Sequence, residues 1–203
     1  MALIIFEGNE NSGKSTMAEM LREHLSHIGK TTLMCKRWTH KSYWAETHTK
    51  PDGDPYPENW NLEQAFYYDW RFFMEMLTYD KSNLDNVHVL CDRSFITDFV
   101  FKQALYKEHI NDRYLQTYNA YMQTLMRMPH LVVYCKRILE KSLEDNFSGG
   151  YILHDAEYLK LQKAYDEWAC QASHMLSLNF VEVDNSANSK EDSLQTIIGA
   201  MQY

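Results

Sequence analysis

The residues with the clearest chemistry lie near the amino end of the chain. Residues 8–15 read GNENSGKS, which matches the pattern G-x-x-x-x-G-K-[ST] without departure. In this pattern the glycines let the backbone close around a phosphate, whose oxygens accept hydrogen bonds from successive N–H groups. The lysine reaches the β- and γ-phosphates, and the last hydroxyl binds Mg²⁺. The motif predicts a nucleoside triphosphate site made by Gly8, Asn11, Ser12, Gly13, Lys14, Ser15 and Thr16.

A second chemical signal is an acid and an arginine directly after the apolar run at residues 87–91. The carboxyl ends of parallel strands border the crevice in which such sheets bind ligands. Asp92 can act there as a general base on an acceptor, or can organise Mg²⁺ together with Ser15. Arg93 can hold an acceptor phosphate with its planar guanidinium. We therefore expect Lys14, Asp92 and Arg93 to be catalytic, and Ser15 and Asp92 to lie at the metal.

The elements that must position these residues alternate between apolar runs and helical patterns. This alternation predicts an α/β fold, a five-stranded parallel sheet with helices on both faces. The predicted strands cover residues 2–7, 31–37, 87–91, 130–135 and 180–183. Helices are predicted near residues 17–28, 61–79, 97–107, 112–127, 155–177 and 194–201. Two long segments without helical or strand periodicity, residues 38–60 and 139–153, are predicted loops that can cover a ligand.

Composition and charge exclude several classes of protein. The formal net charge is −8, which disfavours a protein whose main task is to grip nucleic acid. Apolar runs are too short to span a membrane, and the amino end lacks the basic start of a signal peptide. The 4 cysteines have no CxxC spacing and the 9 histidines form no metal pattern. We expect a cytoplasmic protein with reduced, buried cysteines that acts on small molecules.

The motifs narrow the class of nucleotide-binding protein further. The guanine-reading pattern N-K-x-D of GTPases is missing, because residues 83–85 read NLD. Motor ATPases usually have an Asp-Glu pair at the end of the third strand, where this chain has Asp92 and Arg93. With GTPases and motor ATPases disfavoured, the motifs predict a kinase.

With these motifs the chain resembles thymidylate kinase and the wider class of P-loop deoxynucleoside and nucleoside monophosphate kinases. Residues 6–16 (FEGNENSGKST) are similar to the family's F-E-G-x-[DE]-x-x-G-K-[ST]-T, and residues 92–94 (DRS) to its D-R-[YS]. Weaker similarities lie at residues 66–69 (FYYD), 129–134 (PHLVVY) and 157–165 (EYLKLQKAY). The chain length favours one domain over residues 1–203. The resemblance covers about residues 2–170 and implies that this is a P-loop kinase domain, with an acceptor-side loop at 38–60 and a lid at 139–153.

The resemblance also implies transfer of the ATP γ-phosphoryl group to a 5′-monophosphate, with a homodimer as the assembly. Glu10 matches the acid that places the sugar 3′-hydroxyl, Phe66 the aromatic that stacks on the base, and Arg93 the arginine on the acceptor phosphate. Asp69 matches the acid of the family's F-A-A-D. It also falls on the apolar stripe of the predicted 61–79 helix, where a carboxylate needs a partner or a cavity.

Four departures from the family pattern concern the acceptor and the lid. Arg71 comes one residue later than the family's arginine, which turns it by about 100° around the helix. The family's R-x-P is absent, and Arg37 is the nearest candidate for a phosphate clamp. Asp98 takes a base-facing position, which favours a modified pyrimidine with an extra hydrogen-bond donor, such as a hydroxymethyl group, over thymine. The lid lacks an arginine, so either Arg137 or Lys141 offsets the charge on the transferred group, a partner subunit supplies an arginine, or the enzyme is slow; of these we favour Arg137.

The leading hypothesis is a kinase for dTMP or a modified pyrimidine deoxynucleoside monophosphate. Three alternatives stay open. A deoxynucleoside kinase would use Asp92 as the base on a 5′-hydroxyl, a third type of kinase would act on hydroxymethylated bases in DNA, and a non-catalytic module would use ATP as a switch.

Overall fold

The computed structural model describes residues 2–9, 11–36, 87–105, 107, 110–144, 155–176 and 179–201, and the statements below concern those residues. The predicted 61–79 helix and the predicted 38–60 loop lie outside them.

A five-stranded parallel sheet with the order β2-β3-β1-β4-β5 forms the centre of the structure. Its strands are β1 (Ala2–Glu7), β2 (Thr31–Lys36), β3 (Val87–Asp92), β4 (His130–Lys136) and β5 (Phe180–Asp184). Successive side chains of a strand point to opposite faces, and in β1 both Ile4 and Ile5 are almost fully buried. Both faces of the sheet are therefore covered, as parallel sheets require. This confirms the predicted α/β fold.

The helices divide between the two faces of the sheet. They are α1 (Lys14–His27), α2 (Phe95–Leu105), α3 (Asp112–Met126), α4 (Leu139–Glu144), α5 (Asp155–Leu176) and α6 (Lys190–Ala200). One apolar core joins Leu21 of α1 and Ile197 of α6 to Ile4 of the central strand. The opposite core joins Tyr118 of α3 and Tyr165 of α5 to Ile5 and its neighbours. The two cores hold the carboxyl ends of the strands, and hence the predicted site, in fixed register.

Side-chain caps set the start of two of these helices. The side chain of Asn111 accepts a hydrogen bond from the Tyr114 N–H at 2.9 Å, and Ser189 accepts from the Asp192 N–H at 3.1 Å. Such caps satisfy N–H groups that have no partner within the helix and stabilise it by about 1 kcal/mol.

Two predictions differ from the structure. Residues 139–144, predicted as the first part of a lid loop, form the short helix α4. Six residues with few apolar positions show too little periodicity for a helix to be recognised. Cys91 and Cys135 are buried as expected, but Cys170 lies on an outer face of α5 and is exposed, so the prediction of buried cysteines is wrong there. None of the described helices has the length and apolar character needed to cross a membrane.

Candidate active site

The turn between β1 and α1 brings the glycines of the motif close to neighbouring backbone. Gly8 and Gly13 have φ angles of +146° and +87°, which L side chains rarely adopt. A Cβ atom on Gly8 would lie 2.2 Å from the carbonyl oxygen of Cys135 in β4. Glycine is therefore required here both by conformation and by the close approach of β4.

The ammonium group of Lys14 is held inside this turn. Its side chain is buried, and Nζ donates to the carbonyl oxygen of Asn9 at 2.5 Å and to the Ser12 hydroxyl at 3.2 Å. Thr16 follows on the exposed side of α1. The structure thus brings the predicted positive charge to the middle of the predicted phosphate-binding loop.

A hydroxyl and a carboxylate meet where α1 begins and β3 ends. Ser15 donates its Oγ hydrogen to Oδ2 of Asp92 at 2.5 Å, across 77 residues of sequence. Hydroxyl and carboxylate oxygens suit Mg²⁺, which proteins commonly hold with one or two carboxylates plus phosphates of the substrate. Among the described residues, no group of three or more His, Cys, Asp or Glu side chains could hold a metal ion. A cation here would depend on Ser15, Asp92 and the nucleotide's own oxygens.

Arg93 is directed back towards the phosphate-binding loop. Its φ angle of +76° places it in the left-handed region, which strains a non-glycine residue. Its backbone N–H donates to the carbonyl oxygen of Phe6 at 2.9 Å, and its guanidinium donates to the carbonyl oxygen of Gly8 at 3.5 Å. The guanidinium carbon also lies 5.9 Å from the ring centroid of Phe101. These contacts place a positive charge at the crevice beside Asp92.

Glu7 is a functional candidate that our sequence analysis did not single out. The side chain is fully buried at the end of β1, and its two oxygens accept hydrogen bonds from Ser94 and Thr97, both at 2.6 Å. Burial raises the pKa of this carboxyl, while the two hydroxyls and the nearby charges of Arg93 and Lys14 lower it. An acid directly after an apolar strand is the signal that identified Asp92, and it applied equally here.

Arg137, directly after β4, also reaches the phosphate-binding loop. Its guanidinium donates to the carbonyl oxygen of Asn11 at 3.3 Å. Its own carbonyl oxygen accepts from the hydroxyl of Tyr158 at 3.2 Å, and that hydroxyl lies 2.7 Å from the Ser142 hydroxyl. The loop is tied to the same neighbours, because the Asn11 side chain donates to the Ser142 carbonyl at 3.1 Å and the Asn9 side chain donates to the Tyr158 carbonyl at 3.0 Å.

Asp98 belongs to α2, and its carboxylate contacts side chains of both α2 and α3. Its Oδ2 atom is 3.1 Å from Nζ of Lys102 and accepts from the Tyr114 hydroxyl at 2.9 Å. The Lys102 ammonium also lies 3.9 Å from the centroid of the Tyr114 ring. Asp98 and Lys102 are both buried, so any contact of Asp98 with a base would share the carboxylate with these partners.

The remaining predicted substrate-binding residues lie outside the described residues, and their roles stay predictions. They are Glu10, Arg37, Phe66, Asp69 and Arg71. The structure therefore brings together the half of the site that surrounds the predicted triphosphate: residues 8, 9 and 11–15 of the loop with Glu7, Asp92, Arg93 and Arg137.

Comparison with known proteins identifies the class to which this arrangement belongs. A deoxyadenosine kinase from M. mycoides with bound dATP has a TM-score of 0.62 at 15% identity, covering 100% of both chains. A thymidylate kinase from Candida albicans has a TM-score of 0.68 at 14% identity, covering 99% of this chain and 91% of its own. A thymidylate kinase from Ehrlichia chaffeensis has a TM-score of 0.59 at 15% identity, covering 100% of this chain and 98% of its own. These similarities show the P-loop kinase fold.

Two comparisons of the sequence itself gave different results. A search of curated proteins found no match. A model of the deoxynucleoside kinase family, in contrast, matches residues 4–202, nearly the whole chain. The chain belongs to the deoxynucleoside kinase family of P-loop kinases.

Proposed function

We propose that the protein transfers the γ-phosphoryl group of ATP to a deoxynucleoside 5′-monophosphate, with dTMP or a modified pyrimidine monophosphate as the acceptor. The triphosphate lies on residues 8–15, where Lys14 neutralises the charge of the β- and γ-phosphates. Phosphoryl transfer of this kind depends mainly on alignment and charge stabilisation.

The choice of acceptor depends on one observation: both carboxylates at the crevice, Asp92 and Glu7, already accept hydrogen bonds from side-chain hydroxyls. Asp92 accepts the Ser15 hydrogen at 2.5 Å, which supports a role for Asp92 at the metal, and Glu7 accepts from Ser94 and Thr97. A 5′-hydroxyl acceptor needs a general base to remove its proton. The terminal phosphate of a monophosphate is largely ionised at neutral pH and needs none. Among the described residues, the arrangement therefore favours an acceptor that is already an anion.

The cations at the site support the same acceptor. The guanidinium groups of Arg93 and Arg137 lie at two points on the phosphate-binding loop, against the carbonyl oxygens of Gly8 and Asn11. Together with Lys14 they offset the charge of two phosphorylated substrates. The arginine fork suits phosphate oxygens, so Arg93 positions the acceptor phosphate and Arg137 stabilises the transferred group.

Ser15 and Asp92 would hold Mg²⁺. When bound, the ion neutralises charge on the β- and γ-phosphate oxygens. Ser15 and Asp92 would supply two oxygen ligands close together, where α1 begins and β3 ends. The short contact between Ser15 and Asp92 shows that both reach the same point.

A deoxynucleoside kinase is the second candidate, because the family model that matches residues 4–202 is that of deoxynucleoside kinases. In this case Asp92 would take the proton of the 5′-hydroxyl. Its contact with Ser15 would then have to be exchanged for a contact with the acceptor.

A transfer assay with γ-labelled ATP separates the two candidates. The acceptors are each deoxynucleoside and its 5′-monophosphate, including thymidine, dTMP, 5-hydroxymethyl-dUMP and its nucleoside. We expect a pyrimidine monophosphate to be labelled at least tenfold more efficiently than its nucleoside, and the variant Lys14→Met to lose this activity with every acceptor. Labelling of nucleosides alone would establish the second candidate, and labelling of no acceptor would refute both.

The identity of the base depends on Asp98 in our hypothesis. A donor on the base, such as a hydroxymethyl group, would add to the hydrogen bonds that this carboxylate already accepts from Lys102 and Tyr114. We expect higher kcat/KM for 5-hydroxymethyl-dUMP than for dTMP, and a reduced ratio in Asp98→Ser. A preference for dTMP that Asp98→Ser does not change would refute this part of the proposal.

Four further features that the sequence predicts stay predictions alongside this function. They are the single domain over residues 1–203, the lid at 139–153, the homodimer and the cytoplasmic location. Light scattering of the purified protein would measure the mass of the assembly.

A further inference from the structure

Asn185, in the turn between β5 and α6, contacts the phosphate-binding loop from the far end of the chain. Its Nδ2 atom donates to the carbonyl oxygen of Ser12 at 2.6 Å, across 173 residues of sequence. Its Oδ1 atom accepts from the hydroxyl of Ser193 at 2.9 Å. Its backbone N–H donates to the carbonyl oxygen of Lys136 at 2.9 Å. The backbone and both ends of the side-chain amide are therefore held.

This contact sets the orientation of one peptide unit in the loop. In a trans peptide the C=O and the following N–H point in opposite directions, and no cis peptide occurs among the described residues. Because the Ser12 carbonyl points at Asn185, the Gly13 N–H points away from the turn that carries Asn185. A phosphate bound by the loop on the side opposite Asn185 would accept a hydrogen bond from this N–H.

The approach of Asn185 is close enough to affect which residue can stand at position 13. A Cβ atom on Gly13 would lie 2.8 Å from Nδ2 of Asn185. The side chain of Asn185 thus occupies the space directly behind the peptide that it orients. Ser193, whose side chain is fully buried, in turn prevents the amide from rotating away.

We propose that Asn185 is a positioning residue for nucleotide binding: it holds the Ser12–Gly13 peptide with its N–H towards the phosphates of the nucleotide. This inference rests on the proposed function in one respect, that the loop of residues 8–15 binds the phosphates of an adenine nucleotide. It does not depend on which acceptor the protein uses.

The test is calorimetric titration of ADP with Mg²⁺ into the full-length protein and three variants. Asn185→Ala removes the contact with Ser12, Ser193→Ala removes the contact that orients Asn185, and Asn188→Ala makes the same change at an exposed asparagine of the same turn. Thermal unfolding without nucleotide is measured in parallel, and steady-state kinetics give KM for ATP and for the acceptor.

We expect Asn185→Ala to raise the Kd for ADP about tenfold, the equivalent of one typical hydrogen bond. Ser193→Ala should raise it by a smaller factor, and Asn188→Ala by less than twofold. The KM for ATP should rise in Asn185→Ala while the KM for the acceptor stays within twofold, because the contact lies behind the triphosphate. A purely structural role would lower the unfolding temperature without changing the Kd.

Three results would contradict the proposal in distinguishable ways. If the unchanged protein binds no ADP, the proposed function fails together with this inference. If the unchanged protein binds ADP and Asn185→Ala binds it within twofold of the same affinity, only the role of Asn185 is refuted. If Asn185→Ala does not fold, Ser193→Ala decides, and an unchanged Kd in that variant refutes the role.

Discussion

The hydroxyl of Tyr158 joins two elements that flank the phosphate-binding loop, and its removal tests how Arg137 is held. The hydroxyl lies 2.7 Å from the Ser142 hydroxyl in α4 and donates to the Arg137 carbonyl at 3.2 Å. Tyr158 and Ser142 are both buried, so water cannot readily replace the lost contacts. Tyr158→Phe keeps the ring and removes the hydroxyl with these two hydrogen bonds.

The size of the effect follows from counting the bonds that each variant loses. A buried hydrogen bond between neutral groups stabilises a protein by about 1 kcal/mol. Tyr158→Phe loses two of them, so we expect a loss of about 2 kcal/mol, whereas Ser142→Ala loses one and about 1 kcal/mol. The double variant loses the same two bonds as Tyr158→Phe alone, which gives a coupling energy of about 1 kcal/mol. For a domain of this size, 1 kcal/mol lowers Tm by about 2–4 °C.

Urea unfolding of the four proteins in this cycle measures the coupling, and steady-state kinetics measure the functional consequence. We expect kcat to fall by about tenfold or more in Tyr158→Phe, because small displacements of a charge at the reacting group are costly. The fall should be smaller in Ser142→Ala, which leaves the Arg137 carbonyl contact in place. Tyr118→Phe is the matched control, since it removes a hydrogen bond from Trp168 at 3.1 Å between α3 and α5 and should lower stability without lowering kcat.

Two results would refute this reasoning. Additive effects of Tyr158→Phe and Ser142→Ala on the free energy of unfolding would mean that the two hydroxyls do not stabilise one another. Equal losses of kcat in Tyr158→Phe and Tyr118→Phe would mean that Arg137 is not positioned through Tyr158.

Two further predictions concern buried charges. Lys102→Met leaves the buried carboxylate of Asp98 without its cation, and we expect about 3–5 kcal/mol less stability in urea unfolding, partly restored by adding Asp98→Asn; a loss below 1 kcal/mol would show the pair to be weak. Burial raises the pKa of Glu7 above 4.5, so the folded state holds more protons than the unfolded state between the two pKa values, and stability falls as pH rises through this window. The side chain of Glu7→Gln does not titrate, so the stability of this variant relative to the unchanged protein should increase from pH 4 to pH 7. A difference in stability that does not change with pH would contradict a raised pKa at Glu7.

Local patterns in the sequence were sufficient for the main architecture. The apolar runs predicted the five strands that the described residues form, because residues buried on both faces of a parallel sheet must be apolar almost continuously. The glycine-rich motif predicted the phosphate-binding turn because only glycine adopts the φ angles found at Gly8 and Gly13 at little cost. Asp92 was recognisable for a related reason, since an acid directly after a buried strand must lie where the strands of the sheet end. The short helix α4 was missed because a helix of 6 residues leaves no clear periodicity.

The partners of the charged groups could be decided only by the tertiary structure. Asp98 was expected to face a base, and only the structure shows that Lys102 of α2 and Tyr114 of α3 also contact its carboxylate. Its contact with a base stays a prediction. Asn185 carried no motif at all, yet it contacts a residue 173 positions away. Periodicity and motifs carry information only about residues that are close together in the sequence. Which side chain reaches a given carbonyl or carboxylate depends on how whole helices and strands pack, and that is determined by the two cores on either face of the sheet.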